Sequence, residues 1–84
     1  IIGQNYFIRT VTHAHTGRLV AVHEHELTLE DTAWIADTGR FADAMASGSF
    51  SEIEPWPDGV QVIINRQSVI DASILRAALP RSQK

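Results

Sequence analysis

The pattern of apolar and polar positions predicts short strands along most of the chain and one helix near its middle. Tyr6 to His13 is rich in β-branched and aromatic residues and holds no breaker, which predicts a strand. Thr16-Gly17 predicts a turn, because glycine tolerates positive φ, and Arg18 to His25 reads as the return strand. Glu26-Leu27-Thr28-Leu29 alternates; it either extends that strand or begins a third after a bend, and Thr32 to Ala36 is a further strand candidate. Asp37-Thr38-Gly39 then opens a helix, with Asp37 or Thr38 as N-cap and Phe41, Ala44 and Met45 as one apolar stripe. Gly48 is placed to end that helix in the left-handed conformation.

Beyond Gly48 the pattern weakens. Ser47 to Pro57 reads as an acidic loop anchored by Phe50 and Ile53, and Pro57-Asp58-Gly59 is a strong turn signal. Val60 to Asn65 predicts a strand buried on at least one face. Asn65-Arg66-Gln67 turns into a short partner strand, Ser68 to Asp71. Ile74 to Leu79 is compatible with a helix ended by Pro80. With no internal repeat and no linker, residues 1–84 read as a single α+β domain. Its expected form is a small antiparallel sheet of about four to five strands with one short helix after Asp37-Thr38-Gly39.

Composition narrows the function classes. Cysteine is absent, so disulfides and thiolate metal sites are excluded. A chain of 84 residues buries a thin core, which directs attention to self-association as a source of stability. The net charge of −3 is uneven: residues 1–59 carry −6 and residues 60–84 carry +3. An acidic body with a basic tail argues against duplex nucleic acid as a partner, which needs a coherent basic face. The tail itself reads as a solvated end. No apolar run reaches bilayer-spanning length and the start shows no signal-peptide pattern, so the chain reads as soluble and cytoplasmic, with no membrane partner.

The sharpest chemical feature is a pair of H-x-H motifs, His13/His15 and His23/His25. On a strand, residues i and i+2 share a face. A two-residue loop at Thr16-Gly17 would pair Arg9 with Glu24 and Val11 with Val22, placing the two motifs on opposite faces; this register makes the better cross-strand pairs. A three-residue loop would gather all four histidines on one face as a zinc site. Solvent-facing strand histidines near the loop, or one satisfied core histidine, are favoured over metal ligation, and no cofactor is expected.

Trp34-Ile35-Ala36-Asp37-Thr38-Gly39 resembles the active-site motif of aspartic proteases, which need two carboxylates sharing a proton. The chain lacks that family's glycine-rich flap and its late apolar-apolar-glycine element, and a helix follows the motif directly. Asp37 is therefore read as a cap, and as the sole catalytic candidate if the protein is an enzyme. Trp56, between Pro55 and Pro57, is either a contact residue on a rigid turn or a lid folded back over the small core. With Trp34 and with Arg40 at a helix start, it would suit a small nucleotide or phosphate ligand.

Leu29 to Phe41, Glu52-Ile-Glu-Pro55 and Leu79-Pro-Arg-Ser-Gln-Lys84 resemble short uncharacterised proteins encoded by phages and prophages. That resemblance carries no functional residue. It implies a context: a phage accessory protein in the host cytoplasm or the virion. The leading expectation is a non-catalytic, homo-oligomeric binding module that sequesters or inhibits a host protein, molecule or immune signal. A virion structural or decoration protein comes second and an enzyme third.

Overall fold

The computed structural model describes residues 1–84. Six strands form one antiparallel sheet: β1 (Asn5–Thr10), β2 (Ala14–Val22), β3 (Glu26–Asp37), β4 (Glu52–Pro55), β5 (Val62–Asn65) and β6 (Val69–Ile74). A single helix, α1 (Phe41–Ser47), follows β3, and a 3₁₀ turn (Arg66–Ser68) joins β5 to β6. The fold is thus a small antiparallel sheet with one short helix, richer in strand than the four to five the sequence predicts.

The sheet runs β4-β3-β2-β1-β6, and β5 also pairs with β3. Twelve-residue β3 serves two partners on one edge: β5 along Glu26–Leu29 and β4 along Ala33–Asp37. This arrangement forces the sheet to roll. In a flat sheet β5 and β6 would stand four strand spacings apart, roughly 19 Å. The 3₁₀ turn between Asn65 and Val69 covers only about 8 Å. Backbone bonds Arg66 N–H to His25 O (2.9 Å) and Val11 N–H to Ser68 O (3.0 Å) hold the two ends together.

Rolling gives each face its own core. One face encloses Ile8, Leu19, Leu29 and Ile64. The opposite face carries Phe7, Ala33, Ile35 and Ile53, covered by Ala44 of the helix and by Phe50. Phe7 stacks on Phe50 with ring centroids 5.8 Å apart and meets Phe41 edge-on at 5.7 Å. Phe50 and Ile53 are therefore the anchors their pattern predicts, although Glu52–Pro55 of the expected loop is a strand.

Several expectations are corrected. The first hairpin turns at Thr10–His13, not at Thr16-Gly17: β1 pairs with β2 through Arg9↔Ala14, Ile8↔His15 and Tyr6↔Gly17. The side chain of Thr10 makes this turn, its Oγ1 donating to His13 O and accepting from His13 N–H, both at 3.1 Å. A β-branched residue at a turn hid it from the pattern. Gly17 lies inside β2 for a different reason. A Cβ there would meet Thr32 Oγ1 at 3.0 Å and Leu29 Cβ at 3.2 Å, so the glycine allows close approach of β3.

The helix is also built differently. Its N-cap is Arg40, with no side-chain cap bond. Asp37 Oδ1 instead accepts the Gly39 N–H at 2.8 Å, a local turn before the helix. Gly48 does end the helix at φ 74°, donating to Ala44 O. Residues Glu26 to Asp37 form one strand, not two, with an irregularity where Asp31 takes φ 51°. Arg18 pins that irregularity, donating to Asp31 Oδ2 at 2.6 Å and Glu30 Oε1 at 3.1 Å. The strand after Asn65 pairs with β1 rather than with β5, and Ile74–Leu79 is not helical.

The basic tail is not a solvated end. Ile53 and Lys84 exchange two backbone bonds, 2.7 and 3.0 Å, so the tail lies along β4. Arg81 donates to Thr32 O at 2.9 Å, to Trp56 O at 2.6 Å and to Asp58 Oδ1 at 2.7 Å. Because Thr32 belongs to β3 and Trp56 to the turn after β4, one side chain ties three segments together.

Candidate functional site

Pairing across three strands builds a row of side chains on one face. His15 of β2 stands opposite Trp34 of β3, and Trp34 opposite Glu54 of β4. Gly17 and Leu19 continue this face along β2, where the rolled end of the sheet encloses it. At the β4 end no strand crosses over, and the row is open to solvent. Trp56 arrives there from the turn after β4, its backbone N–H donating to Thr32 O at 2.8 Å. The flanking prolines fix φ on either side of it, and the Pro57-Asp58-Gly59 turn is present, with Gly59 at φ 82°.

The result is a cleft of about 440 Å³ lined by His13, His15, Trp34, Glu54, Pro55, Trp56 and Pro57. His13 lies 5.7 Å from Trp34 and 6.1 Å from His15, and His15 lies 5.7 Å from Trp56, measured between ring centroids. Four rings therefore run Trp34–His13–His15–Trp56 without a break. Glu54 is steadied by the tail, accepting from Gln83 Nε2 at 2.9 Å. His13 Nδ1 and Thr12 Oγ1 share a hydrogen bond of 2.6 Å. His15 Nδ1 is buried without a partner. Burial lowers the His15 pKa below its ordinary value of 6.5, and the neighbouring His13 adds to the shift.

The predicted site residues separate into two groups. Trp34 and Trp56 converge, as the ligand-site expectation required. Arg40 stands exposed at the start of α1 and does not line the cleft. No lysine or arginine lines it, so the phosphate-holding half of the expected nucleotide site has no counterpart. His23 and His25 lie at the exposed turn between β2 and β3, away from His13 and His15. No three or more histidine, aspartate or glutamate side chains come together in a way that could hold a metal ion. Asp37, engaged with Gly39, is not among the cleft residues.

Glu54 and Arg81 are the site residues that the sequence does not pick out. Proline on both sides of Trp56 was the visible signal; the reach of Arg81 to Trp56 O had none. A larger groove of about 630 Å³ runs past Arg18, Asp31, Asp58 and Arg81, but its charges are already paired with one another.

The fold and site define a small rolled antiparallel sheet with an aromatic cleft at its open end. Compared with known protein families, with curated proteins and with solved structures, the chain matches none. No helix is long and apolar enough to cross a membrane.

Proposed function

We propose that the protein is a non-catalytic, self-associating binding module that holds its ligand between Trp34 and Trp56. The observation that carries this reading is the convergence of both tryptophans of the chain on one cleft, with His13 and His15 between them. Trp34 stays 38% exposed on a strand that also carries the buried Leu29, Ala33 and Ile35. Tryptophan offers a large contact area for two rotatable bonds, so ordering it on binding costs little. Prolines and Arg81 fix Trp56 before any ligand arrives, which lowers that cost further. The resemblance to phage and prophage proteins supplies the context: a module that sequesters a host molecule or signal.

Self-association is supported by the number of large apolar residues left at the surface, including Ile63 at 62% and Ile70 at 64% exposed. Both sit on β5 or β6, strands with one unpaired edge. Sedimentation at micromolar concentration tests it; the 9.3 kDa monomer as the sole species at every concentration contradicts it.

Binding is tested by tryptophan emission, because both indoles line the cleft. A panel of nucleosides, small heteroaromatic molecules, organic cations and proline-rich peptides is expected to include a member that shifts emission saturably. That response should be lost in Trp56→Ala. A panel that leaves both emission and melting temperature unchanged would count against the cleft as a binding site.

A further inference from the structure

We propose that the cleft selects an organic cation carrying a methylated ammonium group. This rests on reading the cleft as the binding site. Three observations carry it. The walls are aromatic: Trp34 and Trp56, with two imidazoles between them. Ring faces attract cations, tryptophan most strongly. The one charged side chain lining the cleft is the carboxylate of Glu54, directly opposite Trp34 on the neighbouring strand and held by Gln83. No cationic side chain competes: Arg9 and Arg81, on adjoining segments, are bound to Asp71 and to Asp58.

Hydrogen-bonding capacity then decides which cation fits. A guanidinium brings five N–H donors and a lysine ammonium three. Against them the cleft offers the Glu54 carboxylate, already accepting from Gln83; the unpartnered His15 Nδ1 is buried and gives a ligand no acceptor. Donors turned toward the rings would lose water without gaining a partner, a cost that rises with each one. A methylated ammonium spreads its charge over carbon-bound hydrogens and has few or no N–H donors to satisfy. It makes van der Waals contact with ring faces while the carboxylate balances its charge. A phosphate would meet the opposite situation, facing Glu54 with no lysine or arginine lining the cleft.

The probes are choline and its neutral isostere 3,3-dimethylbutanol, titrated at constant ionic strength and followed by tryptophan emission. Choline is expected to bind about 5- to 30-fold more tightly than the neutral compound. Glu54→Gln, which keeps the size and the bond to Gln83, should weaken choline within that range and leave 3,3-dimethylbutanol unchanged. A trimethyllysine peptide that binds more tightly than choline assigns the cation to a protein side chain, and the reverse order assigns it to a free small molecule. Equal binding of the two isosteres, or a Glu54→Gln variant with wild-type affinity for choline, overturns the cation assignment while leaving the cleft as an apolar site. If neither isostere nor any member of the wider panel binds, the binding-module reading falls with it.

Discussion

The two H-x-H motifs have the same spacing and almost nothing else in common. His13 and His15 lie where β2 begins, with Trp34 and Trp56 packed on either side. His23 and His25 occupy the turn where β2 ends, and both are exposed. The difference comes from what pairs alongside. At the first motif, β3 continues past β2 and carries β4 on its far edge, so neighbouring strands supply Trp34, Glu54 and Trp56. At the second, β3 is only beginning, and the arginine that reaches the turn, Arg66, bonds to the backbone oxygens of His23 and Glu24 rather than to a side chain. A motif on a strand gains chemistry from its cross-strand partners; spacing alone gives it none.

Breaking the support beneath the first motif should have the largest effect. Phe50 fills the core on the reverse side of β3 and β4. Phe50→Ala should cost about 3–5 kcal/mol, read by denaturant unfolding, with the Trp34–Trp56 cleft loosened before the turn at His23. Arg81→Ala comes next. It removes charge-assisted bonds to two carbonyls and to Asp58, worth about 1.5–3 kcal/mol together. Its distinguishing sign is a red shift of tryptophan emission in the folded protein as Trp56 gains water. Unchanged emission would mean the tail does not position that residue. Gly17→Ala should cost about 1–3 kcal/mol by overpacking against Thr32 and Leu29. A turn glycine with open space around it would not show this.

The comparison sharpens with pH. His15 is harder to protonate in the folded chain than in the unfolded one, chiefly because it is buried. Below the ordinary histidine value of 6.5 the unfolded state therefore binds more protons. The contribution of His15 is fully present above that pH and is lost as pH falls from there toward the folded-state value. Stability against pH, measured for the wild type and for His15→Phe, should show that decline only in the wild type. The smallest effect belongs to the second motif: His23→Ala and His25→Ala should each change stability by less than about 0.5 kcal/mol.

The strands were largely legible because β-branched and aromatic runs mark them, and Gly48 and Pro57-Asp58-Gly59 mark their own turns. The register was not. Thr10 to His13 contains nothing that signals a turn in isolation, while Gly17 carries the signal of one and instead makes room for β3. That single exchange displaced every cross-strand pair drawn from it, including the face assignments of the histidines. Trp34 and Trp56 were visible as candidates, but their convergence depends on β4 pairing with β3, and β4 lay inside a segment whose acidic, proline-containing composition reads as loop. The tail was not legible because charge predicts solvation, whereas Arg81 finds backbone carbonyls that no sequence pattern displays.

The central claim is that ligand recognition belongs to the first motif and its tryptophans. Its most direct test is two-dimensional NMR of protein labelled at its histidines and tryptophans, titrated with choline, adenosine and a proline-rich peptide. For whichever probe binds, saturable shifts should appear at Trp34, Trp56, His13 and His15 while His23 and His25 stay fixed. Shifts centred on the His23–His25 turn, with both indoles unmoved, would contradict the account.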